Sequence, residues 1–322
     1  MEKVSWGIIG CGVVAEVKSG PAFQNCKNSE LFAVMRRNGK KAEDFARRHK
    51  VPYWYDNVEE LLQDNRINAV YIATPPSSHL NYTLQAIEAG KHIYLEKPMA
   101  LSVAEAEQIR NALKGRENKL TVAHYRRKLP AFLKVKELLA ANRIGVVRFA
   151  DVKILQSSEA KIIANTEENW RVDPEISGGG YFYDLAPHQL DLMFHYFGEI
   201  AEMRGFSKNQ AKLYPANDIV QGIISFRSGI QFRGIWAFNI SEKDNTDNCT
   251  IYGCKGQLSF SFFGDRVSLK SVAGNEDFHF KPIEHVQGPM IQATVEYFMD
   301  KNTNPCSVEE GLEVMKIMNA FR

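Results

Sequence analysis

The sequence predicts an α/β protein in two parts: an N-terminal doubly wound parallel sheet, then a C-terminal α+β domain with a large, mainly antiparallel open sheet. Up to about residue 123, short apolar runs alternate with helical patterns, the rhythm of a parallel sheet covered on both faces. Beyond about residue 145, strands follow one another through short Gly-, Asn- or Asp-containing turns, which implies antiparallel pairing. At 322 residues the chain exceeds what one hydrophobic core usually serves, so two domains are expected, at 1–123 and 124–322.

In the first half, strands are expected at 4–9, 31–35, 69–73, 92–95 and 120–123. Segments 57–63 and 80–89 carry apolar residues at helical spacing, and Gly90 stops the second. Ser102 with Glu105 forms a capping box ahead of Ile109 and Leu113, and Gly115 is placed to end that helix. In the second half, strands are expected at 146–155, 219–226, 230–240, 250–253, 258–262 and 267–272, with helices at about 185–197, 291–299 and 308–321.

Composition narrows the function classes. Hydrophobic residues make up 44% of the chain and charged residues 24%, as in a globular protein. Forty basic residues face 38 acidic ones for a formal charge of +2, which offers no electrostatic footprint for nucleic acid or an anionic membrane. Cys11, Cys26, Cys249, Cys254 and Cys306 are scattered without a C-x-x-C pair, so neither a disulfide framework nor a structural zinc site is expected, and a reducing, cytoplasmic setting fits. No apolar stretch approaches the ~20 residues of a membrane span. The apolar start at 4–15 has the look of a signal peptide, but its glycines have another explanation.

Gly10-Cys11-Gly12-Val13-Val14-Ala15 follows the first strand and opens a helix, matching the G-x-G-x-x-G/A dinucleotide fingerprint of a Rossmann domain. The first glycine permits the tight turn and the second lets a pyrophosphate approach the backbone. The small residue at Ala15 lets the helix pack close to the sheet, and the helix N-terminus offers free N–H groups to phosphate. At the end of the second strand, where an acidic residue would bond an NAD ribose, stand Arg36 and Arg37. Two guanidiniums suit a 2′-phosphate, so NADP(H) is favoured, with NAD(H) possible. Thr74, Pro75 and His79 follow one strand, and Glu96-Lys97-Pro98 follows the next. Both groups fall at the carboxyl ends of parallel strands, where such sheets bind ligands, and they join the expected cofactor contacts.

Further on come Trp170-Arg171 and Gly178-Gly179-Gly180-Tyr181-Phe182-Tyr183-Asp184-Leu185-Ala186-Pro187-His188. With these motifs in this order, the chain resembles the Gfo/Idh/MocA oxidoreductases, the family of glucose–fructose oxidoreductase and inositol dehydrogenase, from residue 5 to about 198. The resemblance implies hydride transfer between a nicotinamide and a sugar, polyol or diol, with Lys97, Asp184 and His188 as the catalytic group. The chemistry agrees, since alcohol oxidation needs a base for the hydroxyl proton and a histidine serves both directions near neutrality. Asp184, one helical turn earlier, is expected to orient His188, while Lys97 polarises the carbonyl oxygen. The resemblance also implies that Arg126 contacts the cofactor, that Tyr125, Trp170 and Arg171 contact the substrate, that the bond before Pro98 is cis, and that the second-domain sheet mediates a homodimer or homotetramer.

Two other readings stay open on sequence. Asp184, His188, Asp191 and His195 fall on one helical stripe and suggest a metal-dependent lyase or hydrolase, although ligands from other elements are lacking and no metal is expected. A dinucleotide-binding sensor without turnover would keep the first domain and need no acid–base group.

Overall fold

The structure, a computed structural model, describes residues 1–12, 15–158 and 169–322. The chain divides into two units, Met1–Tyr125 with Ile283–Met315, and Arg126–Pro282 with Lys316–Arg322. The first crossing lies close to the expected boundary. Residues 283–315, however, belong with the first unit, whereas the sequence reading gave everything after 123 to the second. Their apolar positions follow helical spacing in either setting, so periodicity alone does not reveal which core they join.

The first unit contains a parallel sheet in the order β3-β2-β1-β4-β5-β6, with β1 Val4–Ile9, β2 Ser29–Met35, β3 Tyr53–Tyr55, β4 Ala69–Ile72, β5 His92–Leu95 and β6 Leu120–Val122. The order reverses between β1 and β4, which opens a crevice at their carboxyl ends. β1 and β4 are buried along their whole length, as expected of strands covered on both faces. Trp6, Phe23 and Phe298 pack together, Trp6 lying 4.8 Å from Phe23 and 5.6 Å from Phe298 between ring centroids. Ser102 caps the helix as expected, its Oγ accepting from Glu105 N at 3.2 Å, while Glu105 Oε2 reaches back past the cap to accept from Leu101 N at 2.9 Å. β3 was not expected, because three aromatic residues on an exposed edge carry no burial alternation.

Segment 283–315 supplies the helix Gly288–Phe298 and the first part of the helix Val308–Ala320. It also closes the edge of β6: Val122 N donates to Cys306 O at 3.0 Å, and Asn304 Nδ2 donates to Leu120 O at 2.7 Å. Lys119 Nζ reaches the carbonyl oxygens of Tyr297 and Phe298 at 2.9 and 3.1 Å.

The second unit contains a sheet in the order β14-β13-β12-β11-β7-β10-β9-β8. Its strands are β7 Val147–Leu155, β8 Ile200–Lys208, β9 Ile219–Phe226, β10 Gln231–Ala237, β11 Thr246–Gly253, β12 Gly256–Phe260, β13 Arg266–Ser271 and β14 Gly274–His279. Every pair is antiparallel except β7 with β10. β8 and β14 were not expected; both are edge strands without a fully buried residue, and β14 is exposed along most of its length. In β9, Val220, Gly222, Ile224 and Phe226 face inward while Gln221 and Ile223 face out. The helix Gly180–Phe197 covers the inner face, with Phe182 edge-on to Trp236 at 5.2 Å and Trp236 Nε1 donating to Gln189 Oε1 at 3.1 Å. Among the described residues no helix is long and apolar enough to cross a membrane.

Candidate active site

The turn after β1 is built by its glycines. Gly10 has φ +92°, and a Cβ there would lie 2.7 Å from Thr74 Cγ2, so neither the backbone conformation nor the packing admits a side chain. Gly10 N donates to Met35 O at 2.9 Å, and Gly12 N to Gly10 O at 2.8 Å, which folds the loop over the ends of β1 and β2. At Gly12 the situation is the opposite: among the described residues a Cβ would meet nothing nearer than Gly10 O at 4.0 Å. The space in front of that backbone is open, and Thr74 Oγ1 is buried in the adjoining loop without a partner among the described residues. An open glycine backbone beside an orphaned hydroxyl fits a dinucleotide phosphate, which would take up such donors.

Val13 and Val14, expected at the cofactor, lie outside the described residues. Ala15 is fully buried and opens a π-helical segment, Ala15–Ser19, ahead of the helix Gly20–Asn25. Glu16 in that segment is clamped by Arg48, whose Nη1 and Nη2 both donate to it, and contacts His49 Nε2 at 2.6 Å. The Arg48 guanidinium holds the Glu16 carboxyl below the usual range. Burial pushes the Cys11 thiol up to about 11, so it is neutral and unreactive near pH 7. Arg36 is half-buried and Arg37 exposed at the end of β2, ahead of the helix Gly39–His49, whose first turn Asn38 caps by accepting from Lys41 N at 3.2 Å. Two guanidiniums before a helix N-terminus form an anion-attracting corner.

The loops after β4 and β5 are tied together by His79. It is fully buried, with Nε2 2.8 Å from Thr74 O and Nδ1 2.9 Å from Pro98 O. Burial lowers its pKa, against the two carbonyl oxygens, which favour a proton on each nitrogen, and the ring ties the two loops together. That is a different task from the cofactor contact expected of it, because both nitrogens face backbone carbonyls. Pro75 precedes the 3₁₀ turn Pro76–Ser78. Glu96, also expected at the cofactor, points into the protein: its Oε1 accepts from Tyr71 OH at 2.5 Å and Gln287 Nε2 at 2.6 Å, and its Oε2 from Lys97 N at 3.0 Å. Lys97 is half-buried, and its bond to Pro98 is cis, as expected. Tyr125 is buried at the end of the first unit.

In the second unit, Arg126 Nη1 donates to Phe262 O at 2.5 Å and its guanidinium lies 4.3 Å from the Phe263 ring centroid. A side chain packed in this way is an anchor of its own unit, in contrast to the cofactor contact expected. Its neighbour Arg127 makes a bidentate pair with Asp191, Nη2 to Oδ1 at 2.7 Å and Nε to Oδ2 at 2.9 Å, with both side chains only 1% exposed. Gly180, at φ +76°, starts the long helix where a Cβ would lie 2.4 Å from Ala216 Cβ. The helix thus begins before Asp184 and continues through Pro187.

Asp184 Oδ2 accepts from Arg171 Nε at 3.0 Å, and the Arg171 guanidinium lies 4.4 Å from the Trp170 ring centroid. Arg171 is buried, and its Nη1 has no partner among the described residues. His188 is buried one turn after Asp184, edge-on to Phe263 at 6.3 Å. The helix therefore gathers Trp170, Arg171, Asp184 and His188 in one region. The same contacts count against the metal stripe: Asp184 is bound by Arg171, Asp191 by Arg127, and His195 Nε2 meets Lys136 Nζ at 2.9 Å. Three of the four supposed ligands face cations, where a metal ion would be repelled. Sequence reasoning missed Tyr71, Gln287 and the Arg127–Asp191 pair. Of these only Asp191 carried a signal, and it was read as a member of the metal stripe rather than as the partner of Arg127.

Comparison with known proteins agrees with this geometry. A family model described as an oxidoreductase family with an NAD-binding Rossmann fold matches residues 4–124, and a GFO/IDH/MocA C-terminal domain model matches residues 132–259. A protein named Oxidoreductase P35 from Formosa agariphila is 53% identical over 319 residues, covering 99% of this chain and 98% of that one. A D-xylose 1-dehydrogenase (NADP(+)) from Hypocrea jecorina is 31% identical over 205 residues, 59% of this chain and 52% of the other. Levoglucosan dehydrogenase, solved in complex with NADH and levoglucosan, shares the fold with a TM-score of 0.88 at 21% identity, over 99% of this chain and 96% of that one.

Proposed function

The chain belongs to the Gfo/Idh/MocA oxidoreductase family, and on that premise we propose that it is an NADP(H)-preferring enzyme that oxidises or reduces a hydroxyl or carbonyl carbon of a sugar, polyol or diol. The observation that carries this reading is that, among the described residues, the backbone at Gly12 is open and the buried Thr74 Oγ1 beside it has no partner, with Lys97 at the end of the next strand. The bound dinucleotide supplies a hydride donor or acceptor at its nicotinamide. The protein's part is proton movement: the His188 imidazole takes the substrate hydroxyl proton in oxidation and returns it in reduction, and Lys97 Nζ polarises the same oxygen. Asp184 orients His188 while its Oδ2 holds Arg171. Arg171 Nη1 is left to donate to a substrate oxygen, and the Trp170 indole offers a flat face to a sugar ring.

The arginines at 36 and 37 support the NADP(H) preference by their charge and place. The names of the xylose and levoglucosan dehydrogenases support a sugar-like substrate. Five free cysteines suit a reducing, cytoplasmic compartment. The outer face of the second-unit sheet exposes Phe206 (80%) and Ile223 (59%), apolar surface suited to a homodimer or a larger homo-oligomer. The function is tested by following nicotinamide absorbance with NADPH and NADP across aldoses, polyols, anhydro-sugars and dihydrodiols. Lys97→Met and His188→Ala should each lower kcat by roughly 10²–10⁴. Unchanged turnover in either variant refutes that residue's role, and tight dinucleotide binding without turnover on the whole panel points to a sensor.

A further inference from the structure

We propose that Gln287 and Tyr71 are positioning residues for Lys97, acting through the Glu96 carboxylate. The inference rests on the role assigned to Lys97 above and adds the machinery that holds it. Glu96 is 6% exposed and takes three donors: Tyr71 OH and Gln287 Nε2 on Oε1, and the Lys97 backbone N–H on Oε2. Two donors on one oxygen and one on the other fix both the plane and the rotation of the carboxylate. The backbone that leads into Lys97 is thereby held from the protein interior rather than from the loop itself.

The network has a defined direction. The Glu96 carboxylate oxygen accepts and so needs the amide nitrogen, which sets Gln287 Nε2 toward Glu96 and leaves Gln287 Oε1 to accept from Tyr94 OH at 3.0 Å. Gln287 Nε2 also reaches Tyr71 OH at 3.3 Å, and Ser19 Oγ donates to the same phenol at 3.3 Å. Ser19 ends the segment that follows the glycine loop, so one run of hydrogen bonds links the backbone behind the dinucleotide loop to the backbone at Lys97. Gln287 lies 191 residues beyond Glu96 and is 1% exposed. A buried carboxylate is costly compared with an apolar side chain of similar size. Its return here is a fixed place for Lys97, where a displacement of about 1 Å is enough to slow a reaction ~10²-fold.

The test uses the full-length enzyme and two volume-conserving variants, Tyr71→Phe and Gln287→Met, each checked for a cooperative melt. Two quantities are read: hydrogen exchange at the Lys97 amide, and kcat with KM on the best substrate of the panel above. Each variant is expected to speed exchange at Lys97 by ~10-fold and to lower kcat by ~10-fold, with the KM values for dinucleotide and substrate within about 2-fold of the parent. Glu96→Gln, which keeps an acceptor for the Lys97 N–H, should retain more turnover than Glu96→Ala. Unchanged exchange, or faster exchange with unchanged kcat, overturns the proposal. If Gln287→Met does not fold, Tyr71→Phe decides alone, since it removes one oxygen and keeps the ring packing. Lys97→Met run alongside separates the two levels: parental turnover in that variant rejects the role of Lys97, whereas loss there with parental kcat in Tyr71→Phe rejects only the network.

Discussion

His92 should make the first unit lose stability between pH 6.5 and pH 4, by an amount that can be worked out from its surroundings. The ring opens β5 against Phe298, with centroids 5.1 Å apart, and its Nδ1 accepts the Lys119 backbone N–H at 3.1 Å. An imidazole that accepts on Nδ1 is neutral, and protonating it breaks that bond. Burial, and then the Lys119 ammonium, press its pKa down from 6.5 to about 4. The folded value is below the unfolded one, so below pH 6.5 the unfolded chain binds a proton that the folded chain refuses. Stability therefore falls as the pH drops towards 4 and is unaffected well above 6.5. At pH 5 the linkage amounts to about 2 kcal/mol, and solvent screening of a half-buried ring reduces it to about 1 kcal/mol. Denaturant unfolding of the parent and of His92→Asn at pH 7 and pH 5 provides the assay, because Asn Oδ1 accepts the same N–H and does not titrate. Carboxylates such as Asp64, held below the usual range by Arg66, titrate in both proteins and cancel in the difference. Parallel losses in the two proteins, or an NMR titration of His92 near 6.5, would refute the reasoning.

Two further outcomes follow from the same contacts. Arg127→Met strands the Asp191 carboxylate in the second-unit interior and should cost about 3–5 kcal/mol in denaturant unfolding, whereas Arg127→Met combined with Asp191→Leu should recover most of the loss; a double variant no better than the single one argues against the pair. Arg37→Ala and Arg36→Ala should raise KM for NADPH by roughly 10–100-fold with little change for NADH, the loss expected of a charge-assisted hydrogen bond. Equal effects on both coenzymes would remove the basis for an NADP(H) preference.

The sequence made the parallel sheet and its glycine loop legible because both follow local rules. Continuous apolar runs mark strands buried on both faces, and the turn at Gly10 has a conformation and a packing that only glycine meets. The helix through Asp184 and His188 was readable as a motif, but its true start at Gly180 depends on Ala216, a residue far along the chain. His79 and Glu96 were read as facing the ligand because they follow strand ends. Their actual partners, Pro98 O in one case and Tyr71 and Gln287 in the other, are set by tertiary packing that no local spacing encodes. Arg126 fell to the same limit, since Phe262 and Phe263 lie more than a hundred residues away. Edge strands such as β14 escaped for a different reason: polar on both faces, they leave no periodic trace.

The return of residues 283–315 to the first unit has a consequence for biosynthesis. The N-terminal sheet emerges from the ribosome with β6 as a bare edge and with Glu96 lacking its Gln287 partner, and it stays so until residues 283–315 have followed the strands of the second unit. The nascent nucleotide-binding half thus starts before the second unit and is completed only after the second unit's strands have been made. A gene cut after residue 125 would yield an unfinished, edge-exposed fragment, and a transplantable coenzyme module would have to carry the late segment with it.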